Sequence, residues 1–78
     1  MIIVYVLVSL KTKYRYVGIT ADLKERIKRH NSGRNKATKP YMPFKLMHSE
    51  EYPDYLEARK REKFLKSGAG RKFLDNLQ

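Results

Sequence analysis

One apolar run constrains the fold of this chain more than any other feature. Ile2 to Val8 is rich in β-branched side chains and carries no polar group except the phenol of Tyr5. A run of this composition without alternating polar residues is typical of a strand that is buried on both faces. It is much shorter than the ~20 residues that cross a bilayer as a helix. We therefore predict that the chain begins with a central, buried strand.

A second strand is predicted at residues 14–19, after a polar break that turns the chain. If the turn is centred on Leu10 and Lys11, the two strands form a hairpin in which Tyr5 stands directly opposite Tyr16. Their Cβ atoms would then lie roughly 5 Å apart on one face of the sheet. Two phenols at this spacing form either an aromatic contact in a core or part of an active site.

The rest of the chain alternates between helical and extended patterns. Thr20 can cap a helix that runs to about His30, with Leu23 and Ile27 on its core face. The further elements predicted are a strand at 44–52, a helix from Asp54 to about Ser67 that Gly68 closes, and a short helix at 71–77. The element order is β-β-α-β-α-α, and the absence of repeats and linkers predicts a single domain over residues 1–78.

The charge of the chain points to a polyanionic partner. Eighteen Lys and Arg against eight Asp and Glu give a formal net charge of +10. Nucleic acid is favoured over an anionic membrane, because no basic amphipathic helix with an apolar face appears. With no cysteine and no signal peptide, we expect a cytoplasmic protein. The basic residues assigned to nucleic-acid contact, several of them in a polar loop at 34–43, are Lys24, Lys28, Arg29, Arg34, Lys36 and Lys39.

Glu62 is the acidic residue that most needs an explanation. It lies in the middle of a predicted core-facing stripe of the second helix, formed by Tyr55, Ala58, Glu62, Leu65 and Ala69. A carboxylate in that position is costly unless it pairs with a cation or binds a metal. One reading is a salt bridge with an arginine. The other is a ligand for one Mg²⁺ or Mn²⁺, since no second acidic residue is obviously placed to hold a second ion.

Two residues of the first helix could act on a phosphate. Arg26 and His30 are four positions apart and therefore share a helix face. Arg26 can neutralise charge on a phosphate, and His30 can bind a phosphate or move a proton. Taken singly, each could equally be an ordinary surface side chain. Tyr5 and Tyr16 could assist proton transfer, although a free phenol titrates near 10 and is a poor base at neutral pH.

Together these residues resemble the GIY-YIG endonuclease superfamily. The first half-motif is Ile3-Val4-Tyr5, and the second is Tyr16-Val17-Gly18. Arg26, His30 and Arg61-Glu62-Lys63 follow in the family's order. The likeness covers nearly the whole chain and is greatest to small stand-alone, excinuclease-C-like members of the UPF0213 type. The first half-motif departs from the family pattern because Ile3 stands where the family has glycine.

The resemblance implies an α+β fold with a three-stranded antiparallel sheet flanked by helices. It also implies metal-dependent hydrolysis of DNA phosphodiester bonds. In that reading Glu62 holds a single Mg²⁺ or Mn²⁺ ion, and Arg26 stabilises the phosphate. Tyr5 serves as or positions the base, Tyr16 and His30 orient water or phosphate, and Gly18 is structural.

The expected function is a DNA endonuclease, possibly structure-selective and acting in DNA repair or recombination, with a protein partner as one source of specificity. The leading alternative is a non-catalytic DNA- or RNA-binding module on the same scaffold. A small basic RNA-binding protein of ribosomal type and a protein that binds an acidic partner are further alternatives.

Overall fold

The computed structural model describes residues 1–77, and within them a three-stranded antiparallel sheet packs between helices. The strand order is β2-β1-β3, so the predicted α+β architecture and the central position of the first strand are confirmed. The elements are β1 (Ile2–Ser9), β2 (Arg15–Thr20), α1 (Leu23–Asn31), β3 (Phe44–Tyr52), α2 (Tyr55–Leu65) and α3 (Gly68–Asp75), with a short 3₁₀ turn at Lys39–Tyr41.

Both faces of β1 are covered, as its composition predicts. Val4 and Val6 face α2 and α3, where a core cluster includes Ala58, Leu65 and Leu74. On the opposite face lies a second cluster that contains Tyr5, Leu7 and Phe44, with Leu23 and Ile27 of α1 packed against it. Each fully buried leucine contributes roughly 1.5–3 kcal/mol, so a chain this short depends heavily on both clusters.

The hairpin register differs from the prediction by two residues. Tyr5 pairs with Gly18 and Leu7 pairs with Tyr16, so the two tyrosines are diagonal neighbours and not direct partners. The turn is longer than predicted because the Ser9 hydroxyl accepts hydrogen bonds from the amides of Lys11 and Thr12. A shift of two residues keeps each side chain on its original face. The two phenol rings therefore still meet, with centroids 6.1 Å apart.

The start of α1 also differs from the prediction. Asp22 is the N-cap, and its carboxylate accepts a hydrogen bond from the amide of Glu25 at 3.1 Å. The Thr20 hydroxyl instead accepts from the amide of Asp22 at 3.0 Å at the end of β2. The helix ends as predicted, since Gly33 adopts a φ of 77°, a left-handed conformation that favours glycine.

The boundary between the last two helices lies earlier than predicted. Leu65 is the last residue of α2, and Ser67 caps α3 by accepting from the amide of Gly70 at 3.2 Å. Gly68 therefore opens α3 and does not close α2. Within the predicted stripe Ala58 and Leu65 are buried and Glu62 is partly buried, whereas Tyr55 and Ala69 are exposed.

Within residues 1–77, none of the helices combines the length and apolar character needed to cross a membrane.

Candidate active site

The phenol of Tyr5 crosses the backbone of Gly18 on the neighbouring edge strand. Tyr5 is fully buried, and Gly18 is its partner on β2. A Cβ atom at Gly18 would lie 2.7 Å from Tyr5 Oη and 2.9 Å from Cε2 of Tyr16. No real Cβ atom tolerates such contacts with confined rings. Gly18 is therefore explained by the close approach of two phenols.

His30 completes a buried cluster with the two tyrosines. It lies in the last turn of α1 and is 1% exposed. Its Nε2 atom is 3.2 Å from Tyr5 Oη, and its ring centroid is 4.6 Å from that of Tyr16. The structure thus brings together three residues that were singled out from three separate segments of the sequence.

Burial sets the protonation of this cluster at neutral pH. Burial and then the charge of Arg26 lower the pKa of His30, so its imidazole is neutral. Burial, followed by Tyr16, raises the pKa of Tyr5 well above its ordinary value, although Arg26 opposes the rise. Glu62 raises that pKa further. Tyr5 is therefore a protonated phenol that is influenced by Arg26 from α1 and by Glu62 from α2.

Glu62 stands half-buried on α2. Its side chain is 19% exposed, and Oε2 lies 3.3 Å from Nζ of Lys66, whose own side chain is 56% exposed. The predicted alternative of a salt bridge with an arginine is therefore replaced by an ion pair with a solvent-exposed lysine. Such pairs contribute only about 0–1 kcal/mol. Lys66 is thus easily displaced from the carboxylate.

The donor set around Glu62 can be compared with the needs of a divalent ion. In the part of the chain that the structure describes, no three His, Asp or Glu side chains converge. This excludes a cage built from such side chains there, but it fits Mg²⁺, which commonly takes one or two carboxylates and keeps several waters. Glu62 is the residue that would hold such an ion.

A basic cavity opens beside His30. It has a volume of about 460 Å³ and is lined by Arg26, Arg29, His30, Arg34, Asn35 and Lys36. Three of the six residues assigned to nucleic-acid contact therefore converge here. The structure does not bring the other three to this cavity. Lys24 and Lys28 lie on an outer face of α1 beside Asp22 and Glu25, and Lys39 is exposed in the 3₁₀ turn.

A second cavity lies between β2 and the junction of α2 with α3. It has a volume of about 570 Å³ and is lined by Tyr14, Arg15, Tyr16, Val17, Leu65, Lys66, Arg71 and Leu74. Tyr16 lines this cavity and His30 lines the first, and the centroids of their two rings are 4.6 Å apart. Sequence reasoning missed this cavity because its cations come from separate segments with no common spacing.

A family model covers most of the chain. The family model for the GIY-YIG catalytic domain matches residues 1–73. The chain belongs to the GIY-YIG family. GIY-YIG proteins are nucleases that act on nucleic acid and generally use divalent metal ions.

Similar proteins place the chain among the small members of the GIY-YIG family. Two UPF0213 proteins of Streptococcus agalactiae, from serotypes V and III, are each 38% identical over 52 residues. This alignment covers 65% of the chain and 59% of each relative, so the chain spans about three fifths of the length of the curated relatives it matches. The solution NMR structure of a UPF0213 protein from Bacillus halodurans is 33% identical with a TM-score of 0.58, and the match covers 100% of this chain and 86% of that one.

One further residue contacts the buried cluster of Tyr5, Tyr16 and His30, and the sequence pattern does not single it out. Thr38 lies in the loop between α1 and β3 and is fully buried. Its hydroxyl oxygen is 2.9 Å from Nδ1 of His30. A lone threonine in a basic loop follows no helical or strand period, so no pattern in the sequence reports this contact.

Arg61, the neighbour of Glu62 in the family motif, has a different location. It forms two hydrogen bonds with the carboxylate of Glu50, at 2.9 and 3.0 Å, and lies over the rings of Phe64 and Phe73. Burial alone would raise the pKa of Glu50, but hydrogen bonds from Arg61, His48 and Tyr52 lower it to about 2. This network joins α2 to β3, so we assign Arg61 a structural part.

Proposed function

We propose that this chain is an endonuclease that hydrolyses DNA phosphodiester bonds with one divalent ion held by Glu62. The observation that carries the proposal is the buried Tyr5–His30 hydrogen bond, formed beside a basic cavity that Arg26 and His30 both line. A structural core needs neither the neutral imidazole at the end of this bond nor a guanidinium next to it.

Arg26 and Glu62 carry the charge chemistry in this proposal. The guanidinium of Arg26 lines the basic cavity and neutralises charge on the equatorial phosphate oxygens. When bound, a divalent ion at Glu62 would stabilise charge on the phosphate and on the leaving oxygen. Lys66 moves away from Glu62 without a large cost, because the lysine is exposed and its ammonium group is readily hydrated.

Tyr5 and His30 move the proton. The phenol oxygen accepts a proton from the attacking water while the phenol proton passes to Nε2 of His30. The water oxygen forms a bond to phosphorus, the bond to the leaving oxygen breaks, and that oxygen takes a proton from solvent. His30 then returns its proton to solvent, which its lowered pKa favours. Tyr16 packs against both rings and fixes their positions.

The two cavities suit segments of a nucleic-acid strand on account of their cations. Each has the volume of a small-molecule site, which suits a nucleotide or two better than a duplex. We therefore propose that the substrate is recognised by its structure, such as a branch or an unpaired strand, as repair and recombination intermediates provide. Sequence preference would be weak unless a partner protein supplies it. The lack of cysteine fits action in a reducing cytoplasm.

A cleavage assay on α2 variants tests the proposal. Linear duplex, flap and four-way-junction DNA are incubated with wild type, Glu62→Gln and Glu57→Gln, with Mg²⁺ or with a chelator. Glu57 is the control because it is an exposed α2 carboxylate that also pairs with a lysine. We expect metal-dependent cleavage that Glu57→Gln retains and Glu62→Gln reduces by roughly 100-fold or more.

Two results would contradict the proposal in different ways. Cleavage that survives Glu62→Gln would show that the ion is held elsewhere. Tight binding by wild type without cleavage of any substrate would instead favour a non-catalytic binding module.

A further inference from the structure

The loop that follows α1 is folded around the hydroxyl of Thr38. The carbonyl oxygen of Asn35 accepts hydrogen bonds from the amides of Thr38 at 3.2 Å and Lys39 at 2.9 Å. The Asn35 side chain also accepts from the amide of Ala37 at 2.9 Å. These bonds form a tight turn that buries Thr38 in an otherwise polar segment and presents its Oγ1 to His30.

Buried hydrogen bonds link Tyr5 to His30 and His30 to Thr38. The direction of each bond follows from the donors and acceptors that these side chains carry. Tyr5 is fully buried, so its phenol proton needs an acceptor within the protein. The acceptor that the structure offers is Nε2 of His30, at 3.2 Å. A neutral imidazole whose Nε2 accepts must carry its proton on Nδ1.

The hydrogen bond at Nδ1 of His30 indicates the same tautomer. The Thr38 hydroxyl donates its proton to the carbonyl oxygen of Asn35 at 3.4 Å, which leaves its lone pairs to accept from Nδ1–H of His30 at 2.9 Å. In the opposite tautomer His30 would donate to Tyr5, and the phenol proton would be buried without an acceptor. An unsatisfied buried donor is costly, which disfavours the opposite tautomer.

We propose that Thr38 is a positioning residue that holds His30 in the Nδ1–H tautomer, so that the Nε2 lone pair is available to the Tyr5 proton. The inference rests on the proposed function for its catalytic consequence, but the tautomer itself is a property of the free protein. Thr38 touches neither substrate nor ion in this assignment and acts only through His30.

The tautomer of His30 determines whether the Tyr5 proton can be transferred to Nε2. With Nδ1–H held by Thr38, a proton can move from Tyr5 to Nε2 as the phenol receives one from water. With the opposite tautomer Nε2 is already protonated, and the transfer has no acceptor. Groups that fix the tautomer of a catalytic histidine change rates by orders of magnitude for this reason.

The test compares Thr38→Val with Thr38→Ser. Valine keeps the shape of threonine but removes the hydroxyl, whereas serine keeps the hydroxyl. Thr12→Val is the matched control, because Thr12 is an exposed hairpin residue whose hydroxyl accepts from the amide of Tyr14, far from His30 in the sequence. The tautomer is read directly from the ¹⁵N chemical shifts of the His30 ring.

We expect the Nδ1–H form in wild type, in Thr38→Ser and in Thr12→Val. Thr38→Val should shift the population toward Nε2–H. In the cleavage assay, kcat should fall roughly 10–100-fold in Thr38→Val with KM within about threefold of wild type, and Thr38→Ser should restore most of the loss.

The outcomes separate this inference from the proposed function. An Nε2–H imidazole in wild type overturns the inference even if Thr38→Val does not fold. An unchanged tautomer in folded Thr38→Val also overturns it. A tautomer change in a protein that cleaves no DNA leaves the positioning assignment standing and refutes the nuclease proposal.

Discussion

Burial keeps both Tyr5 and His30 uncharged near neutral pH. In water a phenol titrates near 10 and an imidazole near 6.5. In this protein burial raises the pKa of Tyr5 and lowers that of His30, so both groups are neutral over a wide range around pH 7. A neutral donor then faces a neutral acceptor without a buried charge, which is the state that the proposed proton transfer requires.

The first prediction concerns the pH dependence of cleavage. We expect kcat/KM to rise with pH through a midpoint below about 6.5, because a protonated His30 has no Nε2 lone pair. Tyr5 should cause no further change up to about pH 10, since its pKa lies above its ordinary value. An NMR titration of His30 should give the same midpoint, and a midpoint above 6.5 would contradict the assignment.

Burial and the charge of Arg26 lower that midpoint, and several other polar or charged groups lie near His30. Tyr5 and Tyr16 face the His30 ring from the sheet, Arg26 acts on it from α1, and Arg29, Arg34 and Lys36 line the same cavity. Removing the charge of Arg26 in Arg26→Gln should raise the pKa of His30.

The free energy of unfolding should also decrease as the pH falls through 6.5. The reason is that the His30 imidazole of the unfolded chain binds a proton at a higher pH than the buried imidazole of the folded protein.

How much of the site could be predicted varied from residue to residue. Tyr5, Tyr16, Arg26, His30 and Glu62 can be singled out because the chain resembles the GIY-YIG pattern, and the structure brings Tyr5, Tyr16 and His30 together. Thr38 could not be found in this way, because its role depends on a turn that buries it. The cavity between β2 and α3 could not be found either, since it requires knowledge of how α3 packs.

The junction of α2 and α3 shows what element-level patterns can and cannot predict. Helical periodicity finds the buried positions Ala58 and Leu65, but the break between the helices depends on the Ser67 cap, which resembles an ordinary polar helix residue. The hairpin register likewise depends on a Ser9 side chain that lengthens the turn. In both cases a local hydroxyl competes with the backbone pattern and moves the boundary.

Two glycines of α3 give a matched test of this junction. A Cβ atom at Gly70 would lie 2.1 Å from the carbonyl oxygen of Phe64 and 2.5 Å from Cα of Leu65, whereas nothing lies within 4 Å of one at Gly68. We expect Gly70→Ala to lower the free energy of unfolding by at least about 1–3 kcal/mol, because backbone cannot move aside cheaply. Gly68→Ala should be neutral or stabilise by up to about 1 kcal/mol. Urea denaturation measures both, and equal effects would contradict the packing.

At the scale of the whole molecule, the positive charge has two effects. One comes from the net charge of the chain, and the other comes from the cations that line the two cavities. The net charge of +10 attracts any polyanion. One cavity places cations beside His30, and the other places cations beside Tyr16. Bulk charge alone therefore explains affinity, while the cavities determine which part of a bound strand lies over the site.

Substitutions at two neighbouring residues of α3 separate the effect of the net charge from the effect of the cavity. Arg71 lines the cavity beside β2, whereas Lys72 is exposed and does not line it. Each glutamine substitution removes one positive charge. We expect Arg71→Gln to weaken DNA binding roughly 3–10-fold and to reduce the slope of log K against log salt by about 1, with a change under about twofold for Lys72→Gln. Fluorescence anisotropy across a salt series measures both, and equal losses would mean that no strand enters this cavity.

The central claim is that Tyr5 and Glu62, brought from β1 and α2, act on one reaction. A double-mutant cycle tests this directly, with single-turnover cleavage rates for wild type, Tyr5→Phe, Glu62→Gln and the double variant. Residues that act as a unit show strongly non-additive losses, so the double variant should be scarcely slower than the slower single variant. Losses that multiply, or a Tyr5→Phe protein that cleaves at the wild-type rate, would contradict a shared site.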